Sequence, residues 1–105
     1  MKRTAEEVRI YRKTAEGVVT TAGAKPDDST SYEYCLQTKA GRLFISIGDD
    51  CCICTRFEEQ GRANALDLGE RLNEFSGKWN WMGGFNHAAD MYDLAQFARA
   101  LRKIV

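Results

Sequence analysis

Apolar residues fall at Leu94, Phe97, Ala98, Leu101 and Ile104, three or four apart, with Asp90 and Asp93 early and Arg99, Arg102 and Lys103 late. That stripe, with charges matching the helix macrodipole, predicts a closing helix running from Ala89. At the other end, Thr4 and Glu7 have capping-box spacing, and Val8, Tyr11, Ala15 and Val18 recur at helical intervals. A first helix follows from this, within a segment of residues 4–24. The competing reading pairs Val8–Arg12 with Val18–Thr21 as a β-hairpin, on their β-branched content. Either element stops before Ala24-Lys25-Pro26-Asp27-Asp28-Ser29, a linker or long loop.

The middle of the chain changes period. Tyr32 to Thr38, Leu43 to Ile47 and Cys51 to Phe57 are rich in aromatic and β-branched residues and are separated by Ala40-Gly41 and Gly48-Asp49-Asp50. They predict a three-stranded antiparallel meander. A two-residue Ala40-Gly41 turn sets Tyr34, Leu36 and Thr38 opposite Ile47, Ile45 and Leu43. At the next hairpin a three-residue turn brings Ile53 beside Ile45 and sends Cys51, Ile53 and Phe57 to the core. A two-residue turn would send Cys52, Cys54 and Arg56 there instead. The first is preferred, because burying Arg56 unpaired costs several kilocalories per mole whereas burying Phe57 gains roughly 2–3 kcal/mol.

Beyond the meander, Ala65, Leu68 and Leu72 predict a short helix from about Gln60 to Arg71, preceded by Glu58 and Glu59. Lys78 to Met82 predicts a fourth strand, with Trp79 and Trp81 on one face and Lys78 and Asn80 on the other, between Ser76-Gly77 and Gly83-Gly84 turns. The fold class is therefore α+β: a small antiparallel sheet, three-stranded meander plus a fourth strand, with helices packed on one face. At 105 residues, 44% apolar and with one proline, the chain fits a single domain, its sheet and helix core spanning 31–105.

Charge narrows the function classes. Fifteen basic and fifteen acidic side chains leave no net charge, and so no long-range field to recruit a phosphate backbone. Nucleic acid is not the expected partner. Residues 49 to 74 hold seven acids against three arginines, a dipolar surface that suits protein docking or simple solvation. No run is long enough to span a bilayer, and MKRTAEEVR turns acidic where a secretory peptide becomes apolar, so a cytoplasmic protein with reduced thiols and no membrane partner is expected.

Cys51-Cys52-x-Cys54 raises the question of a metal. With Cys35 and Cys52 each flanking Ser46, the two sulfurs stand two strand spacings apart, roughly 9–10 Å, too far for one zinc or a disulfide. The paired knuckles of a structural zinc site are missing as well, so no metal and no cofactor is expected. His87 is the only histidine, and a cysteine hydrolase would have to pair it with Cys52 or Cys54. Neither cysteine lies in a recognised nucleophile motif, and the chain reads as no enzyme.

The stretch NEFSGKWNW puts a turn, a cation, two amides and both tryptophans within nine residues. The tryptophans suit a core-facing strand, while Asn73, Ser76, Lys78 and Asn80 offer the groups of an anion or polar-ligand site. Ser-Gly-Lys lacks the Gly-x4-Gly-Lys-Ser/Thr context of a phosphate-binding loop. Leu36-Gln37-Thr38 with Gly41, Thr55-Arg56-Phe57-Glu58, Ser76-Gly77-Lys78-Trp79-Asn80 and the closing helix together resemble a set of small uncharacterised proteins from bacteria, phages and mobile elements, of integron-cassette type. The resemblance covers roughly 32–105, and departs from the family at Glu74-Phe75, where a proline and an aromatic are usual. It implies a gene from a mobile pool and carries no known activity.

Opposite the core, Glu33, Cys35, Gln37, Phe44, Ser46, Cys52, Cys54 and Arg56 form a semi-polar strip. The expected function is a non-enzymatic binding module acting in protein–protein interaction or self-association as a homodimer. Its contact residues are Arg56, Asn73, Ser76, Lys78, Trp79 and Asn80. The alternative is a small-molecule-binding protein with an aromatic pocket lined by Trp79, Trp81, Tyr92 and Phe97.

Overall fold

A computed structural model of the chain describes residues 4–48, 52–66, 85–87 and 91–105. Thr4 opens helix α1, Ala5–Thr21, with both halves of the capping box: its hydroxyl accepts from the Glu7 N–H and the Glu7 carboxylate from the Thr4 N–H. The hairpin alternative for this segment is thereby excluded. The helix closes in a Schellman arrangement. Ala22 is the C-cap, Gly23 N–H donates to Thr20 O and Ala24 N–H to Val19 O, each at 3.0 Å. Gly23 takes φ +111°, where a side chain is strained. Gly23→Ala is expected to lower unfolding free energy by about 1–2 kcal/mol in urea melts.

The segment expected to be a loop after α1 supplies a two-residue strand β1, Lys25–Pro26. Then come β2 (Tyr34–Thr38), β3 (Gly41–Ile47), β4 (Cys52–Phe57) and β5 (Phe85–His87). The sheet is antiparallel throughout, in the order β1-β2-β3-β4-β5. At the β1 end the strand is short, and Pro26 has no N–H to offer a further strand, which blunts that edge against added pairing. The expected fourth strand, Lys78–Met82, lies outside the described residues. The strand observed beside β4 is Phe85–His87.

Both meander registers differ by two residues from those the hairpin patterns predict. Tyr34 pairs with Ile45, Leu36 with Leu43 and Thr38 with Gly41, so the turn is Lys39-Ala40. On the other side Ile45 pairs with Thr55 and Ile47 with Ile53. An even displacement keeps every side chain on its face. Ile53 and Phe57 accordingly lie in the core and Arg56 on the outer face, exposed.

Among the described residues three helices cover one face of the sheet: α1, α2 (Gln60–Ala65) and α3 (Met91–Ile104). One core joins Tyr11, Ala15 and Val19 of α1, Leu36, Leu43, Ile45, Ile47, Ile53 and Phe57 of the sheet, Ala63 of α2, and Leu94, Phe97, Leu101 and Ile104 of α3. In α2 it is Ala63 that is buried, whereas Ala65, expected on the apolar stripe, is exposed. Leu68 and Leu72 lie outside the described residues. Among those residues no helix is long and apolar enough to cross a membrane.

Candidate functional site

The outer face of the meander centres on Phe44, whose cross-strand neighbours are Cys35 on β2 and Arg56 on β4. Phe44 is only 2% exposed, yet it stands apart from the main core. Among the described residues, a set of polar-ended side chains lies against it. Arg42 lies over its ring at 5.4 Å, Arg56 at 5.9 Å, and the Tyr32 ring at 6.2 Å, tilted by 39°. Arg56 also lies over Tyr32, at 5.7 Å. A guanidinium is attracted to the negative faces of such rings and keeps its donors in their plane of approach to solvent.

Tyr32 is brought to this cluster by the segment between β1 and β2, which local side-chain hydrogen bonds order. The Asp27 carboxylate accepts from Ser29 Oγ at 2.9 Å and from Thr30 Oγ1 at 3.3 Å, and Thr30 Oγ1 in turn accepts from the Tyr32 N–H at 3.1 Å. Short polar side chains bonding a residue or two away are the usual means of fixing a loop.

The two arginines differ in commitment. Arg42 Nε donates to Glu58 at 2.5 Å, and Glu58 N–H donates to Arg42 O at 2.9 Å. The Arg42 hydrogen bond, with the charges of Arg42 and Arg56, holds the Glu58 carboxyl below its ordinary value. Arg56 is held by rings instead. Among the described residues its guanidinium makes no hydrogen bond and no ion pair, so its N–H donors are not taken up there while its face lies over the two rings. Such a group is ready to receive a carboxylate in bidentate fashion.

No family model, no curated protein and no solved structure proves similar to this chain. The site is therefore read from its own geometry. Of the six expected contact residues, Arg56 sits beside Phe44 on the outer face, and Asn73, Ser76, Lys78, Trp79 and Asn80 lie outside the described residues. Tyr32 and Arg42 were not anticipated as members of the cluster. Arg42 had a signal in its alternation with Phe44. Glu33, expected on this strip, precedes β2 and bonds to Arg12 of α1 instead.

The thiols are also placed differently. Cys54, not Cys52, stands opposite Ser46, while Cys35 is opposite Phe44. His87 ends β5 at a register position opposite Cys52. Phe97, expected in an aromatic pocket, is fully buried in the core; Trp79 and Trp81 lie outside the described residues.

Burial pushes the Cys35 thiol above its ordinary value of 9.0, and Asp27 and Glu58 add to this against the opposing charge of Arg42. A raised value means less thiolate at any given pH. Cys35 is expected to be alkylated at pH 7.5 more slowly in the folded protein than in urea, with a rate that goes on rising at alkaline pH after that of the unfolded thiol has levelled off, as read by peptide-resolved mass spectrometry.

Proposed function

We propose that the protein is a non-enzymatic binding module. It docks a protein partner, or a second copy of itself, against the outer sheet face with Arg56 engaging an acidic group. The observation that carries this is a guanidinium stacked over two rings with its hydrogen-bonding capacity unspent among the described residues. Exposed arginine normally loses side-chain freedom on binding. Here stacking has removed part of that freedom already, which favours affinity. Tyrosine, phenylalanine and arginine are also the residue types enriched in interface centres.

Self-association has a chemistry in the same strip, because Glu58, two residues from Arg56, spends one carboxylate oxygen on Arg42 and has a second for the counterpart Arg56 across a two-fold contact. A cytoplasmic setting belongs to this reading, supported by the free Cys35 thiol. So does a mobile-element origin, supported by the resemblance over 32–105.

Sedimentation equilibrium and affinity capture from the native host, each run on the wild type and on Arg56→Glu, test the proposal. Reversal of this charge is expected to weaken the dimer, or the captured complex, about tenfold or more. Association left unchanged by Arg56→Glu in both experiments overturns it.

A further inference from the structure

On the helical side of the molecule a groove of about 350 Å³ opens between α1 and α3, within the roughly 300–1,000 Å³ typical of small-molecule sites. Gly17, Val18, Ala22 and Ala98 give it an apolar lining, and Thr21 and Arg102 add polar groups. We infer that this groove is a binding site for a small organic monoanion, an alkyl or aryl body carrying one carboxylate, with the body along the helix–helix crevice and the carboxylate on Arg102. This inference is independent of the outer sheet face.

Three features point to it beyond the cavity itself. Arg102 makes no hydrogen bond or ion pair among the described residues. The nearby helix end leaves it little to do. Val18, Val19 and Thr20 carbonyls already accept from the Ala22, Ala24 and Gly23 N–H groups. Charge complementarity therefore selects an anion.

Thr21 behaves unlike its neighbours. Thr14 and Thr20 spend their hydroxyls on the Ile10 and Glu16 carbonyls of their own helix, at 2.9 and 2.8 Å. The Thr21 hydroxyl, lining the groove, has no such bond among the described residues and remains a donor.

Gly17 has no structural need to be glycine. It lies well inside a 17-residue helix, where glycine is unfavourable relative to alanine, its φ is not in the left-handed region, and an added Cβ meets nothing within 4 Å. Its absent side chain keeps the groove open.

Octanoate, titrated into ¹⁵N-labelled protein, is the probe, with octylamine as the cation of the same apolar length. Octanoate is expected to shift the amides of 14–22 and 98–102 saturably, and octylamine to leave them in place. Arg102→Gln should weaken octanoate about tenfold through loss of a charge-assisted hydrogen bond. Gly17→Leu places a side chain in the open space and should abolish binding while keeping the wild-type spectrum elsewhere. Gly17→Ala checks the fold separately, with a thermal midpoint at or above that of the wild type. No saturable shift with octanoate, equal shifts with octylamine, or an octanoate affinity unchanged by Arg102→Gln and Gly17→Leu overturns the inference.

Discussion

Phe97→Ala is expected to lower the free energy of unfolding by about 3–5 kcal/mol, the range for truncating a fully buried aromatic. In a domain of this size that corresponds to a fall in thermal midpoint of well over 10 °C. Phe97 is 0% exposed and belongs to the core that joins α1, the inner sheet face and α3. Deleting its ring removes apolar surface that had left water and leaves a space that Leu94, Leu101 and Ile104 can fill only in part. The same substitution tests the aromatic-pocket alternative. A side chain facing a ligand cavity already lacks packing on one side, and its truncation costs little. A loss below about 1 kcal/mol by denaturant titration would contradict the packing described above.

The closing helix and the capping box of α1 were legible in the sequence because both are local. The box needs only Thr4 and Glu7 within one turn, and the stripe from Leu94 to Ile104 repeats within one element. Sheet faces were legible for the same reason, since alternation is local. Register was not. Ala40-Gly41 has the composition of a tight turn, yet Gly41, at φ +97°, becomes the first residue of β3, and the turn forms one step earlier at Lys39-Ala40. Two things hold it there. Thr38 Oγ1 accepts from the Ala40 N–H and donates to Gly41 O. Lys39 N–H donates to Ile104 O at 2.9 Å, at the end of α3. That last partner lies 65 positions along the chain, so no windowed reading of the hairpin could include it.

Arg56 was legible as an outward residue through an energetic comparison, its burial cost against that of Phe57. Its neighbours were only partly so. Alternation puts Arg42, Phe44 and Arg56 on one side, but it also counts Tyr32 into the first strand, in phase with Tyr34, whereas β2 begins only at Tyr34 and Tyr32 lies against Phe44 instead. Tyr32 reaches Phe44 because Asp27, Ser29 and Thr30 shape the preceding segment, and a stretch rich in such residues reads as a linker until its hydrogen bonds are seen. The groove between α1 and α3 had a different kind of signal, a lone Gly17 inside a helical pattern, which packing alone does not require.

Glu33→Ala is expected to cost about 1.5–3 kcal/mol, more than a surface ion pair contributes, because Glu33 completes the sheet. Antiparallel bonding repeats every second residue, so Ile47 presents its N–H and C=O on the side where β2 would continue, past Tyr34. No strand residue meets them there. Glu33 Oε1 accepts from the Ile47 N–H at 2.8 Å, Arg12 Nη1 donates to Ile47 O at 2.6 Å, and the carboxylate and guanidinium bond each other. Arg12 comes from α1, so the same two side chains that finish the ladder also fasten helix to sheet. Both are about one-third exposed, which sets the estimate at charge-assisted hydrogen bonds rather than a desolvated pair. Glu33→Gln keeps an acceptor for the Ile47 N–H and should recover about half of the loss. A double-mutant cycle with Arg12→Ala should show coupling near 1 kcal/mol that weakens at high salt, whereas the single-substitution losses, which include the bonds to Ile47, should largely survive it. Single-substitution losses that vanish at high salt would mean that the two side chains act by charge alone. The consequence reaches the outer face, because Glu33 adjoins Tyr32 and its backbone carbonyl accepts from the Asp27 N–H at 2.9 Å. Loosening Glu33 should release the ring beside Arg56, so under the binding role proposed above Glu33→Ala is expected to weaken association as well as stability.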